Sequence, residues 1–161
     1  MLFRSKVSAR DLPYLRDPAV ILIDQLKQVY IDGELETIDT TNWFPKVMRK
    51  DYIVGITGGQ GGPDPDQNLQ QLYGCDGELN FSGYCSPEVD QLIDRQSREA
   101  AQEKRKQLVW EIERKLADDG ARPIIFYDRR ATCWQPWVNG LSIIINSISN
   151  SARMEDVWLD K

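Results

Sequence analysis

The sequence predicts an α/β fold, because segments typical of strands alternate with segments typical of helices along its first half. The strand segments are apolar and β-branched or show some alternation, and they cover residues 2–8, 34–38 and 52–56. A chain of 161 residues is also long enough to bury one core of this kind. We therefore expect a layered domain in which helices pack on a sheet.

Two helices are predicted between these strands. Asp17-Pro18 is a typical helix start, with the aspartate as N-cap and the proline at the first helical position. The apolar residues that follow form a broad stripe, so this helix is expected to be buried over much of its surface. That stripe contains Val20, Ile21, Ile23 and Leu26. A second, short helix is expected to be capped by Thr40 or Thr41.

The second half of the chain predicts three further helices. Asp64 or Asp66 is placed to cap the first, and Ser86-Pro87 begins the second by the same logic. The third covers about residues 103–118, where apolar residues recur at every fourth position. These residues are Leu108, Ile112 and Leu116.

The end of the third helix and the segment beyond it also carry a signal. Gly120 is placed to serve as the C-cap, because glycine adopts the left-handed conformation that commonly ends a helix. Residues 124–127 are apolar and follow Pro123, which predicts a short, mostly buried strand.

Composition excludes several classes of function. The 20 Lys and Arg residues against 25 Asp and Glu give a net charge of −5, so no nucleic-acid partner is expected. The sequence has no histidine, which removes Ser-His-Asp and Cys-His catalysis and the commonest transition-metal ligand. We expect no metal, no cofactor and no catalytic residue. No apolar run reaches the roughly 18 residues that a membrane span requires.

A glycine-rich segment follows the third predicted strand. Residues 57–66, TGGQGGPDPD, hold four Gly and two Pro, which predicts a loop. The segment lacks the Lys-Ser/Thr ending of a phosphate-binding loop, and its glycines do not have the dinucleotide-binding spacing. From the residues alone, contact with a ligand and a plain surface loop are equally supported.

The three cysteines allow one disulfide bond. Cys75 and Cys85 bracket a turn, CDGELNFSGYC, and a bond between them would close a loop of 11 residues. By the chain-entropy relation, a bond that closes a loop of this length stabilises the folded state by roughly 3 kcal/mol. The spacing favours this bond, and the alternative is two reduced thiols. Cys133 lies among apolar residues and is expected to be a small buried side chain rather than a nucleophile.

Five segments follow one another in an informative order: DPAVILIDQLK, NWFPKVMRKDY, the DPD of the glycine-rich loop, SGYCSPEVDQLID and RKQLVWEIERKLADDGARPIIFY. This order resembles the C-terminal lobe of the peptide-type, family 5 solute-binding proteins of bacterial ABC transporters. The resemblance covers about residues 12–159. It implies a lobe like that of a type II periplasmic binding protein, with a mixed sheet flanked by helices.

The resemblance also implies a function. A receptor of this family captures a peptide or a related small solute between two lobes and delivers it to an inner-membrane ABC permease, without chemistry on the solute. A periplasmic location follows, and the disulfide fits it. Residues 1–128 are expected to form part of the C-terminal ligand-binding lobe, and residues 129–161 a hinge or return segment toward an N-terminal lobe. The chain is then a fragment, and the Trp-rich part of residues 134–141 is expected to expose apolar surface.

In the resembling family, the loop corresponding to the glycine-rich segment lines the cleft. This implies solute contacts from Thr57, Gly58, Gly59, Gln60, Gly61 and Asp64. Several peptide binders carry an acidic residue there that pairs with the α-amino group of the ligand. The corresponding positions here, 59–62, hold no carboxylate, so this contact is not carried over. Asp64 and Asp66 are the alternatives for it, although either can instead cap a helix.

Two other classes of function remain open from the residues. One is a small hydrolase or transferase that uses Asp64 or Asp66 as a base. The other is a stand-alone interaction domain whose Trp-rich tail docks a partner protein.

Overall fold

A parallel sheet organises the first half of the molecule. The computed structural model describes residues 3–59, 64–127, 131–142 and 154–160. In it, β1 (Phe3–Arg10) is the central strand between β2 (Ile31–Ile38) and β3 (Val54–Ile56). Arg10 is in register with Ile38, and Ala9 with Ile56, so the carboxyl ends of the three strands share one edge. The predicted α/β class is confirmed.

Two helices cover the two faces of this sheet. α1 (Pro13–Leu26) packs on the face that carries Val7 and Ala9 of β1. α2 (Thr40–Met48) contributes Trp43 and Val47 to a cluster with Ile38 of β2. Because side chains alternate along a strand, Ser8 and Arg10 lie on the face opposite Val7 and Ala9.

α1 begins earlier than the sequence predicts. Pro13, rather than Pro18, occupies the first turn, and Leu12 is the N-cap residue in an extended conformation. The residue before a proline avoids helical geometry, which explains why the helix cannot begin sooner. Pro18 therefore lies inside the helix, where it cannot donate a backbone hydrogen bond.

The predicted burial of α1 is also wrong. Val20 and Ile21 are more than half exposed, and the buried residues of this helix are Leu15 and Ala19. A sheet of three strands covers one side of a helix only, so part of the broad apolar stripe stays in contact with solvent.

Two boundaries in the next segment differ from the prediction. Asp39, not Thr40 or Thr41, caps α2, and its carboxylate accepts hydrogen bonds from the backbone N–H groups of Thr41 and Asn42. β2 begins at Ile31 and contains Gly33. A Cβ at that glycine would lie 3.0 Å from the side chain of Ile23, so its absence allows α1 to approach the strand closely.

The three helices predicted for the second half of the chain are present, and together they form a second core. They are α3 (Pro65–Tyr73), α4 (Pro87–Arg98) and α5 (Gln102–Asp118). Ser86 caps α4 by accepting a hydrogen bond from the N–H of Val89. The buried residues of the cluster come from all three helices: Leu69, Val89, Leu92, Ile93, Ile112 and Leu116.

Gly120 ends α5 in the left-handed conformation, as the sequence predicts, with φ +60°. Its N–H donates to the carbonyl of Ala117, and the N–H of Ala121 donates to the carbonyl of Leu116. This pair of bonds is the Schellman motif, with Gly120 one residue beyond the cap.

The segment between α3 and α4 joins the two cores. The predicted disulfide between Cys75 and Cys85 is present. The loop that it closes carries Phe81, which packs against the cluster of Ile38, Trp43 and Val47. The Tyr52 hydroxyl also donates to the backbone carbonyl of Phe81, at 2.7 Å. The disulfide loop therefore attaches the helical half to the sheet.

Two expectations for the C-terminal part are wrong. Residues 124–127 form no strand and are exposed, since no described strand lies beside them. The Cys133 thiol is also exposed rather than buried. As expected, Trp134 and Trp137 expose about half of their surfaces, at 49% and 47%. β4 (Val138–Asn139) pairs with β5 (Trp158–Leu159) in a separate antiparallel ladder.

Within the described ranges, none of the helices combines the length and apolar character needed to cross a membrane.

Candidate functional site

The strand order places a candidate site at the carboxyl ends of β1 and β3. In the order β2-β1-β3, the chain passes from β1 to β2 on one side and later places β3 on the other side of β1. The helices that follow β1 and β2 lie on opposite faces, which opens a crevice at the point where the order reverses. Ligands of open α/β sheets bind at such a switch point. Arg10 ends β1 there, and Thr57 follows β3.

Arg10 is a cation without an acidic partner in the described part of the chain. Its Nη2 donates to the hydroxyl of Tyr14 at 3.1 Å. Its Nε is buried and has no hydrogen-bond partner among the described residues. A buried donor left unpaired is costly, so this edge of the sheet is suited to a group that accepts hydrogen bonds.

Two aromatic side chains flank Arg10. The guanidinium lies 5.7 Å from the ring centroid of Phe44 in α2, a cation–π contact. Tyr14 stands at the start of α1, and both rings are about half exposed. An arginine between two partly exposed aromatic rings offers a charged contact together with apolar surface.

Two of the predicted loop residues lie at this crevice. A Cβ added at Gly58 would be 3.7 Å from the side chains of Tyr14 and Leu15, so Gly58 runs beside the start of α1. Gly59 follows it and is exposed, whereas Thr57 is partly buried. Gln60 and Gly61 lie outside the described residues. The predicted solute contacts of these residues stay predictions.

Asp64 is engaged elsewhere. Its Oδ1 accepts the backbone N–H of Asp66 and caps α3, which decides between the two aspartates as cap. Arg105 of α5 binds both oxygens of the Asp64 carboxylate, at 2.9 and 2.5 Å. The hydrogen bonds from Arg105 lower the pKa of Asp64, with the backbone N–H of Asp66 acting in the same direction. A carboxylate stabilised in this way is a weak base.

A groove on the sheet face next to α2 is a second concave surface. It has a volume of about 430 Å³ and is lined by Lys6, Ser8, Glu36, Lys46, Lys50, Asp51, Tyr52 and Ile53. Glu36 accepts hydrogen bonds from the Ser8 hydroxyl and pairs with Lys46 at 3.0 Å. These groups satisfy one another, so the groove offers less unmet hydrogen-bonding capacity than the edge at Arg10. The described residues hold no cluster of His, Cys, Asp or Glu suited to a metal ion.

Sequence reasoning missed Arg10, Tyr14 and Phe44. The predicted strand ends at residue 8, two residues before Arg10, whereas in the structure Arg10 ends β1, which is a typical place for a ligand contact in a parallel sheet. However, the sequence does not reveal strand order, and only the order β2-β1-β3 brings Arg10 to the same crevice as Gly58.

Of three comparisons with known proteins, only the comparison with solved structures gives matches. No family model matches the sequence, and no curated protein matches it. Among solved structures, the oligopeptide-binding protein AppA from Bacillus subtilis, in complex with a nonapeptide, matches 99% of this chain with a TM-score of 0.83 and 18% identity. The periplasmic binding protein DppA from Helicobacter pylori, in complex with the peptide STSA, matches 99% with a TM-score of 0.82 and 18% identity.

A third solved structure matches less of the chain. NikA from Staphylococcus aureus, in complex with Ni(L-His)2, matches 74% of it with a TM-score of 0.66 and 20% identity. The chain spans about a third of the length of AppA and DppA, 32% in each case, and 26% of NikA. The fold of this chain is therefore that of one part of the substrate-binding proteins of ABC transporters.

Proposed function

We propose that this chain is part of the substrate-binding component of an ABC transporter. In this proposal it supplies one wall of a cleft, captures a peptide or related small solute there, and passes it to an inner-membrane permease. The observation that carries the proposal is the match of nearly the whole chain to one third of two peptide-binding proteins. A periplasmic location belongs to the same proposal, and the disulfide of Cys75 and Cys85 supports it.

The proposed cleft wall is the crevice at the ends of β1 and β3. Arg10 would bind an anionic or carbonyl oxygen of the solute through its guanidinium, while Gly58 and Gly59 allow close approach to the backbone. Phe44 and Tyr14 would contact apolar parts of the solute. An isolated lobe holds only half of the contacts of a closed cleft, so weak binding is expected from it.

The rest of the proposal concerns the division of the chain. Residues 1–128 would form part of the ligand-binding lobe, and residues 129–161 would lead toward the other lobe. The exposed apolar segment 124–127 and the half-exposed Trp134 and Trp137 support this, because they offer surface for a partner to cover. A lobe of the same protein is the partner that we propose.

Catalysis by Asp64 is disfavoured. A general base near neutral pH needs a raised pKa, whereas Arg105 lowers that of Asp64. No chemistry on the solute is part of the proposal.

The test is to identify what the full product of the gene carries. The protein would be purified, denatured to release small molecules, and the released fraction analysed by mass spectrometry. Short peptides or another defined solute are expected, and the affinity for that solute would then be measured by calorimetry.

A matched pair of variants would locate the site. Arg10→Gln is expected to weaken solute binding at least tenfold, since a charge-assisted hydrogen bond is lost. Arg4→Gln removes the same group from the opposite end of β1, where the Arg4 side chain is 88% exposed and pairs with Asp32, and should leave the affinity unchanged. Equal affinities for the two variants would contradict the proposed site, and a wild-type protein that binds no solute would refute the function.

A further inference from the structure

A lysine in the left-handed conformation stands at the groove on the sheet face next to α2. Lys50 has a φ of +56°. Its N–H donates to the carbonyl of Val47, and the N–H of Asp51 donates to the carbonyl of Lys46. This is the Schellman motif that also ends α5, and Lys50 takes the place that Gly120 takes there. Glycine adopts this conformation without strain and lysine does not, so the turn itself does not explain the lysine.

The Lys50 side chain lines the groove and is held along its stem. A Cβ added at Gly83 would lie 2.9 Å from Cε of Lys50, so the stem of the lysine runs against the disulfide loop. In the described part of the chain, Lys50 takes part in no ion pair. The contact with Gly83 restricts the rotamers of the stem, and the three N–H donors of the ammonium group stay available to a ligand.

The lining of the groove carries more positive than negative charge. Three lysines against two carboxylates leave a net charge of +1: Lys6, Lys46 and Lys50 against Glu36 and Asp51. Glu36 is already neutralised, because Lys46 lies 3.0 Å and Lys6 3.4 Å from its carboxylate. Asp51 has Arg49 at 4.0 Å. The positive charge that these pairs leave over is that of Lys50, and it favours an anionic ligand.

The groove also has room and an apolar side. Its volume of about 430 Å³ lies within the roughly 300–1,000 Å³ that small-molecule pockets usually have. Ile53 lines it with 68% of its surface exposed. The hydroxyl of Tyr52 is already bonded to the carbonyl of Phe81, so the ring is the part of Tyr52 left to contact a ligand. A cation and an apolar surface in one concavity are suited to a small organic anion.

We propose that this groove binds a small organic oxyanion, with its carboxylate or phosphate group at Lys50 and its apolar part against Ile53. The groove is a second site, because Lys6 and Ser8 of β1 line it and Arg10 does not. The inference stands on the groove and on the left-handed lysine, and it does not depend on the proposed function of the crevice.

A titration of the chain with phenyl phosphate, followed by amide chemical shifts, tests the site. Low ionic strength limits the screening of the lysines. We expect saturable shifts at Ser8 and at residues 50–53, and weaker binding of inorganic phosphate, which has no apolar part. Benzoate in a parallel titration shows which of the two anionic groups binds more tightly. Shifts that do not saturate, or that centre on Arg10 and Gly58, would overturn the inference. Equal affinities for phenyl phosphate and inorganic phosphate would overturn the part that concerns Ile53.

Lys50→Gly separates binding from stability. It removes the ammonium group and suits the left-handed turn, so the affinity for phenyl phosphate should fall at least tenfold while the unfolding temperature stays the same or rises. Lys50→Arg keeps the charge and should keep most of the affinity. Lys104→Gln is the control, because it removes an exposed lysine of α5 outside the groove, and it should leave the affinity unchanged. An unchanged affinity of Lys50→Gly would overturn the inference. A lower unfolding temperature of that variant would mean that the lysine serves the turn, and would overturn it as well.

Discussion

Asn80 gives the sharpest prediction of stability. The residue is 8% exposed, and its side-chain amide makes four hydrogen bonds, three inside the disulfide loop and one to Gly74, directly before it. Nδ2 donates to the carbonyls of Gly74 and Tyr84 at 2.9 and 2.6 Å, while Oδ1 accepts from Ser82 and from the N–H of Gly83. Asn80→Asp keeps the shape and the two accepted bonds, but it turns a carboxylate oxygen toward two carbonyl oxygens.

The expected loss is about 3 kcal/mol at pH 7, because two donated bonds of about 1 kcal/mol each disappear and the carbonyls lose their partner. The assay is urea unfolding of the variant and the parent at several pH values. The surroundings disfavour the charged form, so the pKa of the new carboxyl is raised in the folded state above about 3.9, its usual value. Protonation restores a donor, and the difference between variant and parent should therefore shrink as the pH falls toward that usual value.

The control is Asn68→Asp, which makes the same chemical change at a partly buried position of α3 that has no described side-chain bond. It should change the free energy of unfolding by less than about 0.5 kcal/mol. An Asn80→Asp protein as stable as this control, or a difference that does not depend on pH, would refute the reasoning.

Three further predictions follow from the fold. Replacing both Cys75 and Cys85 by serine should lower the free energy of unfolding, measured by chemical denaturation, by roughly 3 kcal/mol. A reductant should then have no further effect on the variant. A stability unchanged by the double replacement would contradict the chain-entropy reasoning. Hydrogen bonds from Ser8 and Lys46 lower the pKa of Glu36 to about 2. The contribution of Glu36 to the free energy of unfolding is therefore complete above its unfolded pKa of about 4.5 and is lost as the pH falls toward 2. Glu36→Gln should make acid unfolding less steep between these pH values, and an acid transition identical to that of the parent would count against this reasoning. A Cβ added at Gly120 would have no atom within 4 Å, but the residue has a φ of +60°. Gly120→Ala should therefore lower the free energy of unfolding by about 1 kcal/mol through backbone strain alone, measured by thermal unfolding. A variant as stable as the parent would mean that the helix end relaxes.

The sequence predicted the helical half of the fold better than the sheet. The signals for α4 and α5 are local, because each acts within one helix. They are the N-cap Ser86, the four-residue spacing between Ile112 and Leu116, and the left-handed Gly120. The start of α1 could not be read in the same way, because Pro13 and Pro18 are both suited to a first helical turn. In the structure Pro13 begins the helix, with two residues between it and the end of β1 at Arg10.

The candidate site was predictable in part. The glycine-rich segment is visible in the residues, and Gly58 does lie at the crevice. Arg10 was not found, because its meaning depends on the strand order and on an unpaired Nε. The buried strand expected at residues 124–127 failed for a related reason. An apolar run shows that a segment is suited to burial, but it does not show that a covering element is present.

The two cores differ in how far apart their residues lie along the chain, and this has a kinetic consequence. In the helical core each helix packs on the next one along the chain, α3 on α4 and α4 on α5, whereas pairing β1 with β3 brings Val7 against Val54 across two intervening helices and a strand. Contacts between distant residues form slowly, because a long loop must close before they stabilise anything. We therefore expect the helical half to acquire its structure first during refolding. The attachment of Phe81 to the α2 cluster would then complete the molecule late, after the parallel sheet has assembled.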